Sequence, residues 1–141
     1  MRYVISHRYP LHPMKGLRVM YAANVLVSGP IGVAYVFAPS AMRALMEMPP
    51  GDPFIYGIAA GALPLGFGIA GGIGFLNPVG LSPVLLVQAI YKSCWLLGVV
   101  LPLAWTGTVP AHAIPLIVIF LFFVAGNLLV LPYGALFERA R

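Results

Sequence analysis

Lys92 is the residue whose type and position most strongly suggest chemistry. It lies inside an apolar block, about ten residues from its start, which at about 1.5 Å of rise per residue is a depth of about 15 Å. If the block spans a membrane, a lysine at that depth costs roughly 2.5–3.5 kcal/mol. Three explanations are open: the side chain extends to the headgroups, burial leaves the amine partly neutral, or a bound anion or carbonyl compound pairs with it. Tyr91 and Trp95 flank Lys92, and Tyr91 is expected to point to a different side.

Three amide side chains are predicted to lie at a similar height. Counted along antiparallel helices, Asn24, Gln88 and Asn127 all fall within about 8–15 Å of one membrane face. Gln88 and Lys92 have the i,i+4 spacing that places two side chains on one face of a helix. Extension of the lysine to the headgroups is the simplest interpretation, and the alternative hypothesis is a ligand site formed by Lys92, Gln88, Asn24 and Asn127. Its ligand would be a small anion, a quinone-like molecule or a lipid.

The residues needed for several other chemistries are missing. The apolar blocks contain no Asp or Glu, so neither an ion pair for the lysine nor a carboxylate proton relay is expected within them. His7 and His12 precede the first block and His112 opens the last on the opposite face, whereas haem held by two histidines needs them at matching depth on facing helices. No HExxH, CxxC, GxSxG or phosphate-loop motif occurs. We predict no catalytic residue and no cofactor of the chain's own, and an enzyme or pump acting alone is disfavoured.

The sulfur-containing residues also have simpler explanations than catalysis. Met42, Met46 and Met48 form a cluster of thioethers, which suit Cu(I), but apolar anchoring of a helix explains them as well. Cys94 is the one cysteine of the chain and lies within an apolar block. It is interpreted as a small buried apolar residue, and no metal site is predicted.

The composition indicates the elements that position these residues. Of 141 residues, 61% are hydrophobic and 8% are charged, and the mean hydropathy is +0.97. A soluble domain has roughly a quarter charged residues and a disordered chain is more polar still, so both classes are excluded. Apolar blocks of membrane-spanning length cover residues 17–38, 54–76, 82–105 and 112–132. With short connections between them, they predict an all-α, integral membrane, four-helix up-down-up-down bundle in a single domain.

The charges predict the orientation of this bundle. The formal net charge is +5, and the basic residues flank the first and last blocks. They are Arg2, Arg8, Lys15, Arg18, Arg139 and Arg141. Basic flanks mark the cytoplasmic side and attract anionic lipid, which predicts a multi-pass membrane protein with both termini in the cytoplasm. No basic stretch is interleaved with exposed aromatic residues, so nucleic-acid binding is disfavoured.

The connection between the first two blocks is predicted to contain a short helix. Ser40 is expected to cap it, and Arg43 and Glu47 have the spacing of an i,i+4 ion pair. Met42, Leu45 and Met46 would share its apolar face. Such a helix is expected to lie in the membrane interface.

Glycine spacing predicts how the bundle packs. The second block contains two Gly-xxx-Gly spacings, Gly57/Gly61 and Gly68/Gly72. Small residues at this spacing allow close approach of helices in lipid, and a contact within the bundle is favoured over one with another subunit. Pro30 and Pro64 lie near the middle of the first two blocks and are expected to bend them.

Several of these features resemble one family. They are Pro39 closing the first block, Asp52 before the second, the segment Ala60-Gly61-Ala62-Leu63-Pro64-Leu65-Gly66, and the segment Gln88-Ala89-Ile90-Tyr91-Lys92-Ser93-Cys94-Trp95. The pattern resembles the small four-helix DoxX-like bacterial membrane proteins over most of the chain. Some members of that group are linked to quinone-dependent redox complexes, and no functional residue is carried over from it.

Three functions are compatible with the sequence, and the first of them is preferred. The small size, the glycine-rich block and the absence of catalytic groups favour an accessory subunit of a larger membrane complex, with other subunits or further copies of the chain as partners. The polar layer favours a binding or carrier protein for a ligand at Lys92. A quinone-linked oxidoreductase is the third hypothesis.

Overall fold

The fold is built from long apolar helices. The computed structural model describes residues 11–46 and 57–137, with side chains from residue 14 onward in the first segment. Within these ranges, four helices are long and apolar enough to span a membrane, and no strand occurs. They are span 1 (Met14–Phe37), span 2 (Gly57–Leu76), span 3 (Ser82–Trp105) and span 4 (Ala111–Val130). The prediction of an all-helical, multi-pass membrane protein is confirmed.

Proline determines where span 4 ends. The helix stops at Val130, and Leu131 adopts an extended conformation with φ −60° and ψ 130°. The residue before a proline is pushed out of the helical region by the proline ring, and here that proline is Pro132. Span 4 therefore ends before the predicted boundary at residue 132, and a short helix, Tyr133–Phe137, follows.

Spans 1 to 3 each contain a π-helical turn just before a proline. These turns are Asn24–Ser28 before Pro30, Gly57–Ala62 before Pro64, and Leu96–Val100 before Pro102. A proline lacks the N–H that would bond to the carbonyl one turn earlier, and its ring clashes with that carbonyl. In a π-helical turn each N–H bonds to the carbonyl five residues earlier instead of four. Accordingly, the Gly29 N–H donates to Asn24 O and the Leu101 N–H donates to Leu96 O. The helices thus continue through all three prolines.

The spans pack most extensively as two pairs. Span 1 lies against span 2, and span 3 lies against span 4, while spans 2 and 3 share a smaller contact. A buried apolar core joins spans 1, 3 and 4 and the segment after span 4; it contains Leu17, Met20, Tyr21, Leu85, Phe123 and Leu131. The Tyr21 hydroxyl donates a hydrogen bond of 2.9 Å to Pro78 O. This bond fixes the link between spans 2 and 3 to span 1.

Glycine allows spans 1 and 2 to approach closely. A Cβ built on Gly68 would lie 2.5 Å from Gly29 Cα, and one built on Gly61 would lie 3.1 Å from the Val36 side chain. At Gly57 and Gly72, by contrast, no atom of the described residues lies within 4 Å of the added Cβ. Each predicted Gly-xxx-Gly spacing therefore contributes one glycine to the contact. Further glycines that the spacing did not single out complete it; they are Gly32 in span 1 and Gly71 and Gly74 in span 2.

Burial is concentrated toward one end of spans 3 and 4. The buried residues of span 3 all lie within Ser82–Trp95, and the stretch from Leu96 to Trp105 has none. In the long helix of span 4, only Phe123 and Asn127 are buried. The remaining surface of these helices is largely apolar and exposed, with Trp105 at 89%. Such surface suits contact with the lipid bilayer.

A short helix, Pro39–Leu45, follows span 1. Pro39 is in the first turn of this helix, a position that proline favours. The capping position before it is occupied by Ala38, which makes no side-chain capping hydrogen bond. The prediction that Ser40 caps this helix is therefore wrong. Several other predictions fall outside the described residues, which do not include Arg2, His7, Arg8, the His12 side chain, Glu47, Met48, Asp52, Arg139 and Arg141.

Candidate functional site

Three predicted site residues form one buried hydrogen-bonded group, here called the amide cluster: Asn24, Gln88 and Asn127. Their exposed fractions are 1%, 0% and 0%. Gln88 Nε2 donates to Asn24 Oδ1 at 2.6 Å, while Gln88 Oε1 accepts from Asn24 Nδ2 at 3.2 Å and from Asn127 Nδ2 at 2.8 Å. Gln88 thus connects span 1 with span 4.

Backbone groups and a serine complete the hydrogen bonding of the amide cluster. Asn24 Nδ2 also donates to Met20 O, and Asn24 Oδ1 accepts from Ser28 Oγ. Asn127 Nδ2 also donates to Leu85 O. Among the described residues, Asn127 Oδ1 is the buried side-chain atom without a partner. The cluster uses most of its hydrogen-bonding capacity internally, as expected of polar residues that hold helices together in lipid.

Lys92 is the fourth predicted site residue and is buried separately from the amide cluster. Its side chain is 4% exposed, and its ammonium makes no hydrogen bond or salt bridge with any residue that the structure describes. Instead Nζ lies 3.7 Å from the ring centroid of Phe120, 5.0 Å from that of Tyr91 and 5.1 Å from that of Phe123. Phe120 is about two helical turns from Asn127 on span 4. The ammonium therefore extends away from the cluster.

We call Tyr91, Phe120 and Phe123 the aromatic cage. The faces of aromatic rings are electron-rich and attract cations, with a gain of about 0.5–2 kcal/mol per favourable contact. The prediction that Tyr91 points to a different side is wrong, because its ring lies close to the ammonium. Span 2 also participates, since Tyr91 stacks on Phe67 with a centroid distance of 5.4 Å. The rings thus stabilise a buried cation without a counter-ion.

Two further polar groups of the aromatic side chains near Lys92 have no hydrogen-bond partner among the described residues. Trp95 packs edge-on against Phe120 with a centroid distance of 5.0 Å, and both Trp95 and Tyr91 are half-buried. The Trp95 indole N–H and the Tyr91 hydroxyl form no hydrogen bond within the described ranges. Ammonium and indole N–H groups only donate, and a phenol O–H donates readily. The aromatic side chains near Lys92 therefore carry two further donors, and the hydroxyl of Tyr91 is the polar group among them that can also accept.

The residues that the structure describes include neither an Asp or Glu nor a metal site. The three acidic residues of the sequence are Glu47, Asp52 and Glu138, none of which belongs to a span. In the part of the chain that the structure describes, no group of His, Cys, Asp and Glu residues could hold a metal ion. Cys94 is exposed, so its predicted burial is wrong. No described side chain therefore carries a negative charge that could pair with Lys92, and a bound molecule could supply one.

Sequence reasoning missed the residues that surround the ammonium. Phe120, Phe123 and Phe67 lie on spans 4 and 2, and no local pattern marks them among many apolar neighbours. Their pairing with Lys92 depends on the rotation and register of facing helices. The amide residues carried a clearer signal, because polar side chains inside apolar helices turn toward one another.

These features place the chain in a structural class: a multi-pass, all-helical membrane protein with a lysine buried among aromatic rings. Comparisons with protein-family models, curated proteins and solved structures give no match. The resemblance to the DoxX-like proteins stays a prediction.

Proposed function

We propose that the protein is a binding or carrier protein of the bacterial inner membrane, with its ligand site at Lys92. The observation that carries this proposal is a lysine that is only 4% exposed and whose ammonium no described residue hydrogen-bonds. The aromatic cage offsets part of the cost of the charge but accepts none of its N–H groups. A ligand that brings an acceptor would complete the site.

The amide cluster has a supporting role in this proposal. Its side chains are at most 1% exposed and largely bonded to one another. It fixes the rotation of span 3, because Gln88 is tied to both Asn24 and Asn127. Since Lys92 lies one turn further along the same helix face, the cluster also fixes where the ammonium lies.

The proposal includes a topology. Short connections favour antiparallel neighbours, which gives an up-down-up-down bundle with both termini on one side. Lys15 and Arg18 are exposed at the start of span 1, and basic residues there favour the cytoplasmic side. The Pro39–Leu45 helix would then lie at the opposite membrane interface.

Native mass spectrometry of the protein released from its own membranes tests the proposal. We expect a bound small molecule on the unmodified protein and its loss in Lys92→Met, which retains the volume of the side chain but not its donors. Lys15→Met is the matched control, because Lys15 is exposed near the start of span 1. Equal retention of the molecule in both variants, or no bound molecule in any of them, would refute the proposed site. A quinone among the released molecules would favour the oxidoreductase hypothesis.

A second candidate function, an accessory subunit, is favoured by a different observation. The stretch of span 3 from Leu96 to Trp105 has no buried residue, so it is available for contact with other membrane helices. Co-purification of a stoichiometric partner in mild detergent, lost when Leu97 and Leu101 are replaced by larger aromatic residues, would support it. Recovery of the chain only as a free monomer would contradict it.

A further inference from the structure

We infer that the ligand of the Lys92 site is a lipophilic monocarboxylate: one carboxylate group on an apolar body. This inference rests on the proposed binding function and goes further by naming the chemical class. It follows from the donors around Lys92, the uncompensated charge and the depth of the ammonium.

The available hydrogen-bonding groups call for an acceptor-rich ligand. Lys92 Nζ, the Trp95 indole N–H and the Tyr91 hydroxyl all lack a partner within the described part of the chain, and the rings of Tyr91 and Trp95 both contact Phe120, which lies under the Lys92 ammonium. A carboxylate is acceptor-only, with two oxygens and about four lone-pair sites. A ligand ammonium would add further donors and place a second positive charge beside Lys92. The site thus favours oxygen acceptors over any basic ligand.

The charge distinguishes a carboxylate from a neutral carbonyl compound. The spans contain no Asp or Glu, so among the described residues the Lys92 charge is compensated only by ring faces. An ion pair buried in low dielectric is usually opposed by the desolvation of both partners. Here the fold already buries Lys92 to 4% exposure, so most of the desolvation that remains on binding is that of the carboxylate. Hydrogen bonds between charged partners are roughly twice as strong as neutral ones, which favours the carboxylate over a ketone or ester of the same shape.

The depth of Lys92 distinguishes a carboxylate from a phospholipid headgroup. Lys92 is about 15 Å from the start of span 3 at Ser82 and about 20 Å from its end at Trp105, so it lies near mid-membrane. Phospholipid phosphates lie at the interface, beyond the hydrocarbon. A compact carboxylate on a single apolar chain can enter between helices, where the half-buried rings of Trp95 and Phe120 provide an apolar surface for that chain.

The tryptophans of the chain provide a direct assay. Trp95 belongs to the site, whereas Trp105 is 89% exposed at the far end of span 3. In Trp105→Phe, Trp95 is the sole tryptophan, because the sequence has 2. The probe is a long-chain carboxylic acid brominated on its chain, which quenches nearby tryptophan, and the comparison ligand is its methyl ester. Both are titrated into the protein in lipid nanodiscs, in the Trp105→Phe background alone and with Lys92→Met or Lys15→Met added.

The expected result is saturable quenching of Trp95 by the acid, with affinity about tenfold or more above that of the ester. Lys92→Met should abolish that difference and Lys15→Met should preserve it. Equal, Lys92-dependent binding of acid and ester would overturn the carboxylate assignment while leaving the binding function in place. Quenching that is the same in Lys92→Met and Lys15→Met for both probes would overturn the carboxylate assignment and count against the binding function too. Circular dichroism of each variant checks that the helices are retained.

Discussion

Gly68 and Gly72 have the same spacing motif and yet face opposite environments, which yields a sharp prediction. A Cβ on Gly68 would lie 2.5 Å from Gly29 Cα and 2.9 Å from Gly29 N. Both of those atoms are backbone, so no side-chain rotation relieves the clash. A Cβ on Gly72 meets no atom of the described residues within 4 Å. Gly68→Ala must therefore push spans 1 and 2 apart, whereas Gly72→Ala places a methyl group in open space.

The two variants should differ in the sign of their effect on the free energy of unfolding. Replacing glycine by alanine inside a helix stabilises it by about 0.5–1 kcal/mol when nothing is in contact. Overpacking a close contact costs typically about 1–3 kcal/mol. We therefore expect Gly72→Ala to be neutral or stabilising by up to about 1 kcal/mol, and Gly68→Ala to be destabilising by about 1–2 kcal/mol after its helix gain is subtracted.

Equilibrium unfolding in mixed micelles with increasing SDS, followed by circular dichroism, measures this difference. Both variants replace a glycine of the same helix by alanine, so nonspecific effects of the detergent on stability cancel when the two are compared. If Gly68→Ala is as stable as Gly72→Ala, the close contact between spans 1 and 2 is incorrect. If both are destabilised equally, both glycines of the Gly68/Gly72 spacing pack, as the spacing alone predicts.

Two further substitution pairs test the polar contacts by the same unfolding measurement. Asn24→Leu removes hydrogen bonds to Gln88, Met20 and Ser28, and at about 0.6 kcal/mol per interhelical bond in a membrane we expect a loss of about 1–2 kcal/mol. Asn77→Leu removes one exposed hydrogen bond, from the Gly80 N–H to Asn77 Oδ1 at 3.3 Å, and should change stability by less than about 0.5 kcal/mol; equal losses would contradict the amide cluster. Tyr21→Phe removes the hydroxyl from a side chain that is 0% exposed and leaves Pro78 O without its donor, at a cost of about 1 kcal/mol. Tyr133→Phe removes an exposed hydrogen bond of 2.8 Å and should cost clearly less, so the opposite order would show that the Tyr21 contact is absent.

The general architecture was predictable because it depends on hydropathy. Span 3 has the same limits in the prediction and in the structure, Ser82 and Trp105, since a lipid-exposed helix is marked by its length and apolar composition alone. The grouping of Asn24, Gln88 and Asn127 was also predictable, because polar side chains in membrane-spanning helices face the interior of the bundle.

Features that depend on the facing helix were not predictable. The Gly-xxx-Gly spacing identifies a helix suited to close packing but not its rotation, so it could not separate Gly68 from Gly72. The rings around Lys92 come from Phe120 and Phe123 on another helix, and their register with span 3 is set by many weak contacts. The wide turns before prolines also affect rotation, because each π turn shifts the following residues around the helix axis.

The position of the Lys92 ammonium over aromatic faces is the central structural claim, and NMR of selectively labelled lysine tests it most directly. Lys15 and Lys92 are the lysines of the sequence, so the exposed Lys15 provides an internal reference. With Nζ 3.7 Å from the Phe120 ring centroid, the ε-methylene protons of Lys92 should show upfield ring-current shifts that decrease in Phe120→Leu, while Lys15 stays at its ordinary position. Coincident signals from the two lysines, unchanged by Phe120→Leu, would contradict the cage.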